Sequence, residues 1–277
     1  MRLTVLVDNA TLIDRYFKAE PALCLHIEAD GKNILFDCGY SGLLVENARK
    51  LGISLANLDY VILSHGHLDH TWGLTALIRH MTELRLENRP CKRPTLIAHP
   101  LALTSVRLDP CPEIGSMLDH AQLARHFDLQ LQATPVNLGA NLHFLGEIPR
   151  NHFFERAAGI GVKDGEPGAD VVPDDSALAY RGQEGLVVIT GCSHAGICNI
   201  VDHAMAVTGE NRLADIIGGL HLLEAPADRL SATVGYLQKT APNMLSPCHC
   251  TDLNAKIALS SVTLLREVGV GLVIDYR

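Results

Sequence analysis

Apolar positions in the first third of the chain alternate between short continuous runs and runs with helical spacing. The stretches RLTVLVDN and ALCLHIEADGKNILFDCG are rich in β-forming residues, and the second predicts a hairpin that turns at Asp30-Gly31. Helical spacing follows in SGLLVENARKLG, and LDYVILSHG is a continuous apolar run, typical of a strand buried on both faces. TWGLTALIRHM then predicts a helix and RPTLIAHP a further strand.

The middle of the chain is less regular. Residues 104–135 combine a Pro-rich turn with a predicted helix in MLDHAQLARHF, and NLHFLGEI predicts a strand. Residues 155–175 are rich in Gly, Asp and Pro, which predicts a long loop. Loops of that length in compact domains are more often functional than idle.

The last third returns to a regular pattern. SALAYR and EGLVVITG predict a hairpin, and a series of alternating elements follows it: helix ICNIVDHAMAVTG, strand LADIIGGLHLL, helix ADRLSATVGYLQKT, strand NMLSPCHC and helix LNAKIALSSVTLLREVG. This alternation predicts an α/β layered fold in which each half begins with antiparallel strands and continues into βα units. Without a linker or a low-complexity tract, residues 1–277 are expected to form one domain.

Composition narrows the class of protein. The chain is 47% hydrophobic and 19% charged, which is enough apolar material for a sizeable core. A net charge of −8 argues against a general nucleic-acid binder but does not exclude an enzyme that acts on nucleic acid, and the partner we expect is a small-molecule substrate. The sequence has neither a signal-peptide pattern nor an apolar run of membrane-spanning length, so we expect a cytoplasmic location, no membrane partner and reduced cysteines. The sequence leaves the oligomeric state open.

The segment SHGHLDH, residues 64–70, crowds potential metal ligands at the end of a predicted strand. In α/β proteins, residues just beyond the carboxyl ends of strands build the functional site. His65 and His67 can point the same way in an extended segment, whereas Asp69 and His70 fall near the start of the next helix and aim differently. Imidazole and carboxylate are ligands for zinc, iron or manganese. The pattern therefore predicts two metal ions, one held mainly by each pair of residues.

The segment HGHLDH also resembles the HxHxDH signature of the metallo-β-lactamase fold superfamily. The resemblance extends over the chain through GKNILFDCG, LSHGHLDHTWGL, GEIPR…FE, DDSALAY, GLVVITGCSHAGICNI, GGLHLL and PCHCT. These motifs look like those of a branch of metal-dependent hydrolases labelled dihydropterin-ribofuranosyl-aminobenzene phosphate synthase-like. The resemblance implies a four-layer αβ/βα sandwich of two mixed sheets flanked by helices, with the metals at one edge between the sheets.

The downstream ligands depart from the pattern that this superfamily implies. The strand LVVITGCSH resembles the one that usually ends with the metal-bridging aspartate, but Cys192 stands in that position and His194 follows two residues later. A thiolate or an imidazole therefore replaces the carboxylate, or the carboxylate comes from elsewhere. Asp174 and Asp175 are the nearest candidates for it along the sequence.

Other polar residues follow predicted strands and extend the set of candidates. His221 follows IIGGL and His249 follows MLSPC, and we expect both as metal ligands or, where unbound, as proton donors. His152 is a further candidate ligand. Arg150 is a candidate for gripping a phosphate or carboxylate of the substrate.

These residues predict a hydrolase with two divalent ions, most simply zinc, with iron or manganese as alternatives. A metal pair makes hydroxide available near neutral pH and polarises the bond to be cleaved, and Asp69 would hold its metal and accept a hydrogen bond from the nucleophile. The expected substrate is a phosphoester, ester or lactone of a small molecule. The alternatives are a related transferase or synthase acting on a pterin-type phosphorylated substrate, a redox protein with an iron pair, and a non-catalytic metal-binding protein.

Overall fold

The computed structural model describes residues 1–156 and 159–277. The strands are β1 Arg2–Val7, β2 Cys24–Ala29, β3 Lys32–Phe36, β4 Tyr60–Ile62, β5 Thr95–Ala98, β6 Val106–Arg107, β7 Asp128–Leu131, β8 Val136–Asn137, β9 Leu142–Phe144, β10 Val162–Lys163, β11 Ala177–Gly182, β12 Gly185–Thr190, β13 Leu213–Gly219, β14 Met244–Cys248 and β15 Val273–Asp275. The helices are α1 Leu43–Lys50, α2 Leu68–Thr71, α3 Leu74–Leu86, α4 His120–Leu123, α5 Ile197–Thr208, α6 Ala227–Thr240 and α7 Leu253–Leu259. Short 3₁₀ turns cover Leu55–Asn57, Pro100–Leu103 and Phe153–Glu155.

The strands form two mixed sheets. The first has the order β15-β1-β2-β3-β4-β5-β7 and the second β14-β13-β12-β11-β9-β8, while β6 and β10 pair in a separate ribbon. In the first sheet the antiparallel strands β1, β2 and β3 lead into parallel β4, β5 and β7. In the second, antiparallel β9, β11 and β12 lead into parallel β13 and β14. The hairpin-then-βα order predicted for each half is therefore present.

Apolar packing divides the molecule into four layers. A central core joins the facing sides of the two sheets, with Phe36 and Ile97 from the first packed near Phe144 and Ile189 from the second. A second cluster lies between the outer face of the first sheet and helices α1 and α3. A third lies between the outer face of the second sheet and helices α5, α6 and α7. This arrangement confirms the predicted αβ/βα sandwich.

The carboxyl ends of β4 and β12 meet at one edge of the sandwich. The backbone N–H of Ser176, just before β11, donates to the carbonyl of Ser64, just after β4, at 2.8 Å. Gly191, just after β12, lies so close to Ser64 that a Cβ there would be 2.1 Å from the Ser64 Oγ. A residue without a side chain is therefore required where the two sheets come together, and this contact brings the SHGHLDH segment beside the CSH segment.

Two parts of the prediction need correction. The helix predicted from LNAKIALSSVTLLREVG ends at Leu259, because the following segment pairs with the edge of β14 instead. There, the Leu245 N–H donates to the Leu264 carbonyl at 3.2 Å, and the Arg266 N–H donates to the Leu245 carbonyl at 2.8 Å. These hydrogen bonds pair backbone groups that an edge strand would otherwise expose. The predicted loop 155–175 contains the two-residue strand β10, and its residues 157–158 lie outside the described part of the chain.

In the described part of the chain, no helix combines the length and the hydrophobicity of a membrane span.

Substituting Gly191 by alanine should separate the two strand ends. We expect Gly191→Ala to lower the free energy of unfolding by about 1–3 kcal/mol, because overpacking at a tight contact forces backbone shifts. Gly235→Ala is the matched control, since a Cβ at this position in α6 meets no atom within 4 Å. It should leave stability unchanged or raise it by about 0.5–1 kcal/mol. Urea unfolding measures both, and equal stabilities for the two variants would contradict the close contact.

Candidate metal centre

The SHGHLDH segment presents ring nitrogens to one another in the short connection between β4 and α2. His65 Nε2 lies 3.0 Å from His67 Nδ1, and both side chains are buried. His67 occupies the position just before α2 with an extended backbone, and Asp69 and His70 lie within the first turn of that helix. The backbone therefore changes from extended to helical between the two pairs of residues.

Asp37, just after β3, fixes the protonation pattern of this segment. Its Oδ1 accepts from the Ser64 N–H at 2.7 Å, and its Oδ2 lies 2.8 Å from the Ser64 Oγ and 2.7 Å from His70 Nδ1. The Ser64 hydroxyl, which donates to Asp37, can accept from His65 Nδ1 at 2.9 Å. A carboxylate only accepts, so His65 and His70 carry their protons on Nδ1 and turn the Nε2 lone pair toward the site.

One group of ligand atoms gathers around the sulfur of Cys192. His70 Nε2 and His249 Nε2 each lie 3.2 Å from the Cys192 Sγ. Asp69 Oδ2 lies 3.2 Å from His249 Nε2 and 3.6 Å from His70 Nε2. The four side chains converge from β4–α2, from the end of β12 and from the end of β14, so both sheets contribute to the group.

A second group shares the same sulfur. His65, Cys192 and His194 each offer one ligand atom, and these atoms lie within 4.8 Å of one another. The ring of His194 packs against both His65 and His67, with centroids 4.7 and 4.8 Å apart. Cys192 therefore stands between the two groups, in the position where the sequence pattern leads us to expect a bridging residue.

The backbone is constrained where these residues leave their strands. Asp37, Ser193, His221 and His249 have φ values of 59°, 63°, 50° and 52°, in the left-handed region that non-glycine residues seldom adopt. Ser193 is held by its Oγ, which donates to the Gly219 carbonyl at 2.7 Å. Strained conformations of this kind cluster at functional sites, where the surrounding structure maintains them.

The electrostatics of the cluster favour a bound cation. Burial, reinforced by neighbouring imidazoles, lowers the pKa of His65 and His194 well below the usual value, so both rings are neutral and have a free lone pair. Burial opposes the charged form of His70, but the Asp69 and Asp37 carboxylates outweigh it and raise its pKa to about 9. The negative charges of Asp69 and Asp37 therefore favour a positive charge at His70 Nε2. Either a proton or a metal ion supplies that charge.

The geometry fits a metal ion of the size of zinc. Two nitrogen ligands about 2.0–2.1 Å from one tetrahedral ion are roughly 3.3 Å apart, and the ligand pairs described above are separated by 3.0–3.6 Å. His194 Nε2 is buried and has no hydrogen-bond partner among the described residues. Burial raises the pKa of the Cys192 thiol, and a bound divalent ion would favour its thiolate form.

The remaining candidates from the sequence lie around this cluster in different roles. His221 is outside the two ligand groups, and its ring packs on His194 with centroids 4.3 Å apart. Asp174 Oδ2 accepts from the Gly66 N–H at 2.8 Å, so it holds the backbone between His65 and His67. Its other oxygen contacts the ammonium of Lys163, which is also buried.

Three other candidates from the sequence are engaged elsewhere. Asp175 Oδ2 accepts from the Ala195 N–H at 2.8 Å. Arg150 donates to the Val172 carbonyl at 2.7 Å. His152 Nε2 lies 2.8 Å from Asp202, and the structure places it in neither ligand group.

Sequence reasoning missed three supporting residues. The sequence indicated Asp37 only as the last residue of a predicted hairpin. Its position directly after β3, which is parallel to β4, was the feature that could have identified it. Glu155 accepts from the backbone N–H groups of Cys198 and Asn199 at 2.9 and 3.0 Å, and so caps α5 directly after the CSH segment. No sequence pattern indicated a structural role for Lys163, because no local pattern links it to the aspartates with which it pairs.

The ligand groups lie beside a cavity of about 560 Å³. His67, Asp69, Cys192, His194, His221 and His249 contribute to its wall. This volume is in the range that binds small molecules.

Comparison with known proteins agrees with the fold. The model of the metallo-β-lactamase superfamily matches residues 18–81. A Methanocaldococcus jannaschii protein named 7,8-dihydropterin-6-methyl-4-(beta-D-ribofuranosyl)-aminobenzene-5'-phosphate synthase is 30% identical over 247 residues, which are 84% of this chain and 80% of that protein. An uncharacterised protein of the same organism is 30% identical over 279 residues, covering 98% of this chain and 99% of its own.

A solved structure gives the same assignment. It is described as a metal-dependent hydrolase of the β-lactamase superfamily, and it matches 99% of this chain and 98% of its own with a TM-score of 0.81 and 26% identity. The chain therefore belongs to the metallo-β-lactamase superfamily, whose members are metal-dependent hydrolases. Within it, this chain belongs to the dihydropterin synthase-like branch that the motifs predict.

The buried Asp175 should make stability depend on pH. Burial raises its pKa from 3.8 to about 7, against the opposing effects of the Ala195 N–H and Arg150. Between these values the unfolded chain loses a proton that the folded chain retains, so the stability linked to this group falls as pH rises through that window. In chelator-treated protein, Asp175→Asn should gain stability relative to the wild type, by a few kcal/mol in total, between pH 4 and 7. Urea unfolding across this range measures the difference, and a constant difference would contradict the raised pKa.

Proposed function

We propose that this chain is a hydrolase that uses two divalent metal ions to cleave a phosphoester, ester or lactone bond of a small molecule. The observation that supports this most directly is the position of Cys192, whose sulfur belongs to both groups of ligand atoms at the wall of the cavity. A ligand shared by two groups would hold two metal ions close together, as in sites where a metal pair acts on one bond.

The two groups, together with the 3.0 Å distance between His65 Nε2 and His67 Nδ1, suggest how the ligands divide. His65, His67 and His194 would hold one ion, while Asp69, His70 and His249 would hold the other. Cys192 would contact both as a thiolate, since sulfur has more than one lone pair available. Zinc suits this mixture of imidazole, carboxylate and thiolate, and thiolate also admits iron.

The ions would supply an activated water molecule and Lewis acidity toward the scissile bond. Asp69 faces the cavity and would accept a hydrogen bond from the attacking water while it holds its ion. His221 lines the cavity with its ring packed on His194, and its buried Nδ1 has no partner among the described residues. We assign it the role of proton donor to the leaving group, with the ring held in place by His194.

A second candidate function follows from the relative that is named as a synthase. Its 30% identity extends over 84% of this chain, so a transferase reaction on a pterin and a phosphorylated ribofuranosyl-aminobenzene is the alternative to simple hydrolysis. Assays with and without a pterin acceptor distinguish these two reactions. A redox role for an iron pair is the third candidate, and visible absorption of protein purified without chelators tests it.

The proposed function predicts the number of metal ions bound per chain. Elemental analysis of protein purified without chelators should find close to two transition-metal ions per chain. His67→Ala and Cys192→Ala should lower the metal content and abolish hydrolysis while leaving the circular dichroism spectrum native. His120→Ala is the control, because His120 is an exposed residue at the start of α4. Metal-free wild-type protein with full activity would refute the proposed function.

Asp37→Asn tests how the ligands are oriented. The amide nitrogen of asparagine can donate to His70 Nδ1, which would place the ring proton on Nε2 and remove the lone pair aimed at the metal. We expect metal affinity to fall about 10- to 100-fold, as is typical when a partner of a ligating histidine is lost. Competition with a chromogenic chelator measures this. Asp128→Asn, at an exposed carboxylate paired with Arg93, should bind metal like the wild type. Equal affinity in Asp37→Asn would show that Asp37 does not set the tautomer.

A further inference from the structure

The cavity beside the ligand groups contains one cationic side chain, that of Lys256 on α7. Lys256 is the only lysine or arginine among the described residues that line the cavity. It is half-buried, and among the described residues its ammonium has neither a hydrogen bond nor an ion pair, whereas several other cations of the protein are paired. A positive charge in a substrate-sized cavity is thus available to a ligand.

The carboxylates that line the cavity are engaged with other groups, and Asp69 lies 3.2 Å from His249 Nε2. Asp252, one helical turn earlier, would ordinarily pair with it, but its oxygens accept from the backbone N–H groups of Ala255 and Glu224 at 2.8 and 2.9 Å. Asp8 accepts from the His249 N–H at 3.1 Å and from the Ala10 N–H at 3.3 Å. Asp252 acts as the cap of α7, so the helix is fixed without use of the Lys256 charge.

The apolar residues that line the cavity indicate which kind of ligand fits it. Ile160, Leu223 and Val268 contribute apolar surface, and the Leu223 side chain is 64% exposed. A ligand that fills this space therefore combines an apolar body with an anionic group. An ammonium on a flexible stem recognises phosphate or carboxylate as a point charge.

We propose that Lys256 forms an anion subsite, which binds a phosphate or carboxylate group of an otherwise apolar small-molecule substrate in the metal cavity. This subsite deepens the proposed function, because it assumes that the reaction takes place at the neighbouring ligand groups. It is nevertheless testable by binding alone.

The test compares metal-loaded wild-type protein with Lys256→Met, which keeps the length of the side chain, and Lys256→Arg, which keeps its charge. Isothermal titration measures the binding of phenyl phosphate and phenylacetate, which differ in their anionic group, and of benzyl alcohol, a neutral probe. Any direct contact of the anions with the metals is common to all variants, so the difference between variants reports Lys256. Lys239→Met, on the exposed side of α6, is the matched control.

We expect Lys256→Met to weaken the binding of at least one anion about tenfold, Lys256→Arg to change it less than threefold, and Lys239→Met to leave it unchanged. The anion that loses more affinity identifies the preferred group. Equal affinities in wild type and Lys256→Met, equal losses for benzyl alcohol, or no anion binding to the wild type would each overturn the subsite. A clear loss in Lys256→Met together with no hydrolysis of any ester, phosphodiester or lactone would instead retain the subsite and refute the proposed function.

Discussion

The Asp37 carboxylate is the contact on which the rest of the site depends. It lies at the end of β3, accepts from the backbone of Ser64 and also contacts His70, so one side chain connects a strand end to both halves of the SHGHLDH segment. The contact is wholly buried, and there the carboxylate requires hydrogen-bond donors. This requirement fixes which nitrogens of the two histidines carry protons. The unprotonated Nε2 atoms then face the ligand cluster. Asp37, which is not itself a member of that cluster, therefore sets the orientation of its ligands.

The two sheets act as rigid supports that bring separate strand ends to this point. Gly191 permits β12 to approach Ser64, and Asp174 ties the segment between His65 and His67 to the start of β11. Lys163 neutralises Asp174 in the interior, where an unpaired carboxylate would be costly. The ligand cluster is therefore held from behind by buried charges whose partners come from distant parts of the chain.

A feature of the fold or the site could be predicted from the sequence when the residues that create it lie close together along the chain. The HGHLDH residues act within one strand and one helical turn, so their positions followed from local periodicity and spacing. His194 and His249 were accessible because parallel strands end at a common edge, although nothing in the sequence shows which nitrogen faces which neighbour. Asp37 acts through contacts with Ser64 and His70, 27 and 33 positions away, Lys163 contacts Asp174 across an irregular loop, and β15 pairs with β1 at the other end of the chain. Such features depend on the assembled fold and have no local signature.

A sulfur between the two ligand groups changes the balance of charge at the site. A thiolate in place of a carboxylate keeps one negative charge but lacks the second oxygen, so the proposed contact with two metal ions would have to pass through a single atom. That atom is buried, and its neighbours His70 and His249 both lie 3.2 Å away. With Asp69 as the other anionic ligand, two divalent ions would leave the cluster with a net positive charge. A site with this charge, beside a cavity whose free side-chain charge is also positive, attracts anions and disfavours cationic ligands. The chain as a whole is acidic at −8, so the attraction of anions would be a local effect of the metal ions and Lys256, and the net charge of the protein would oppose it.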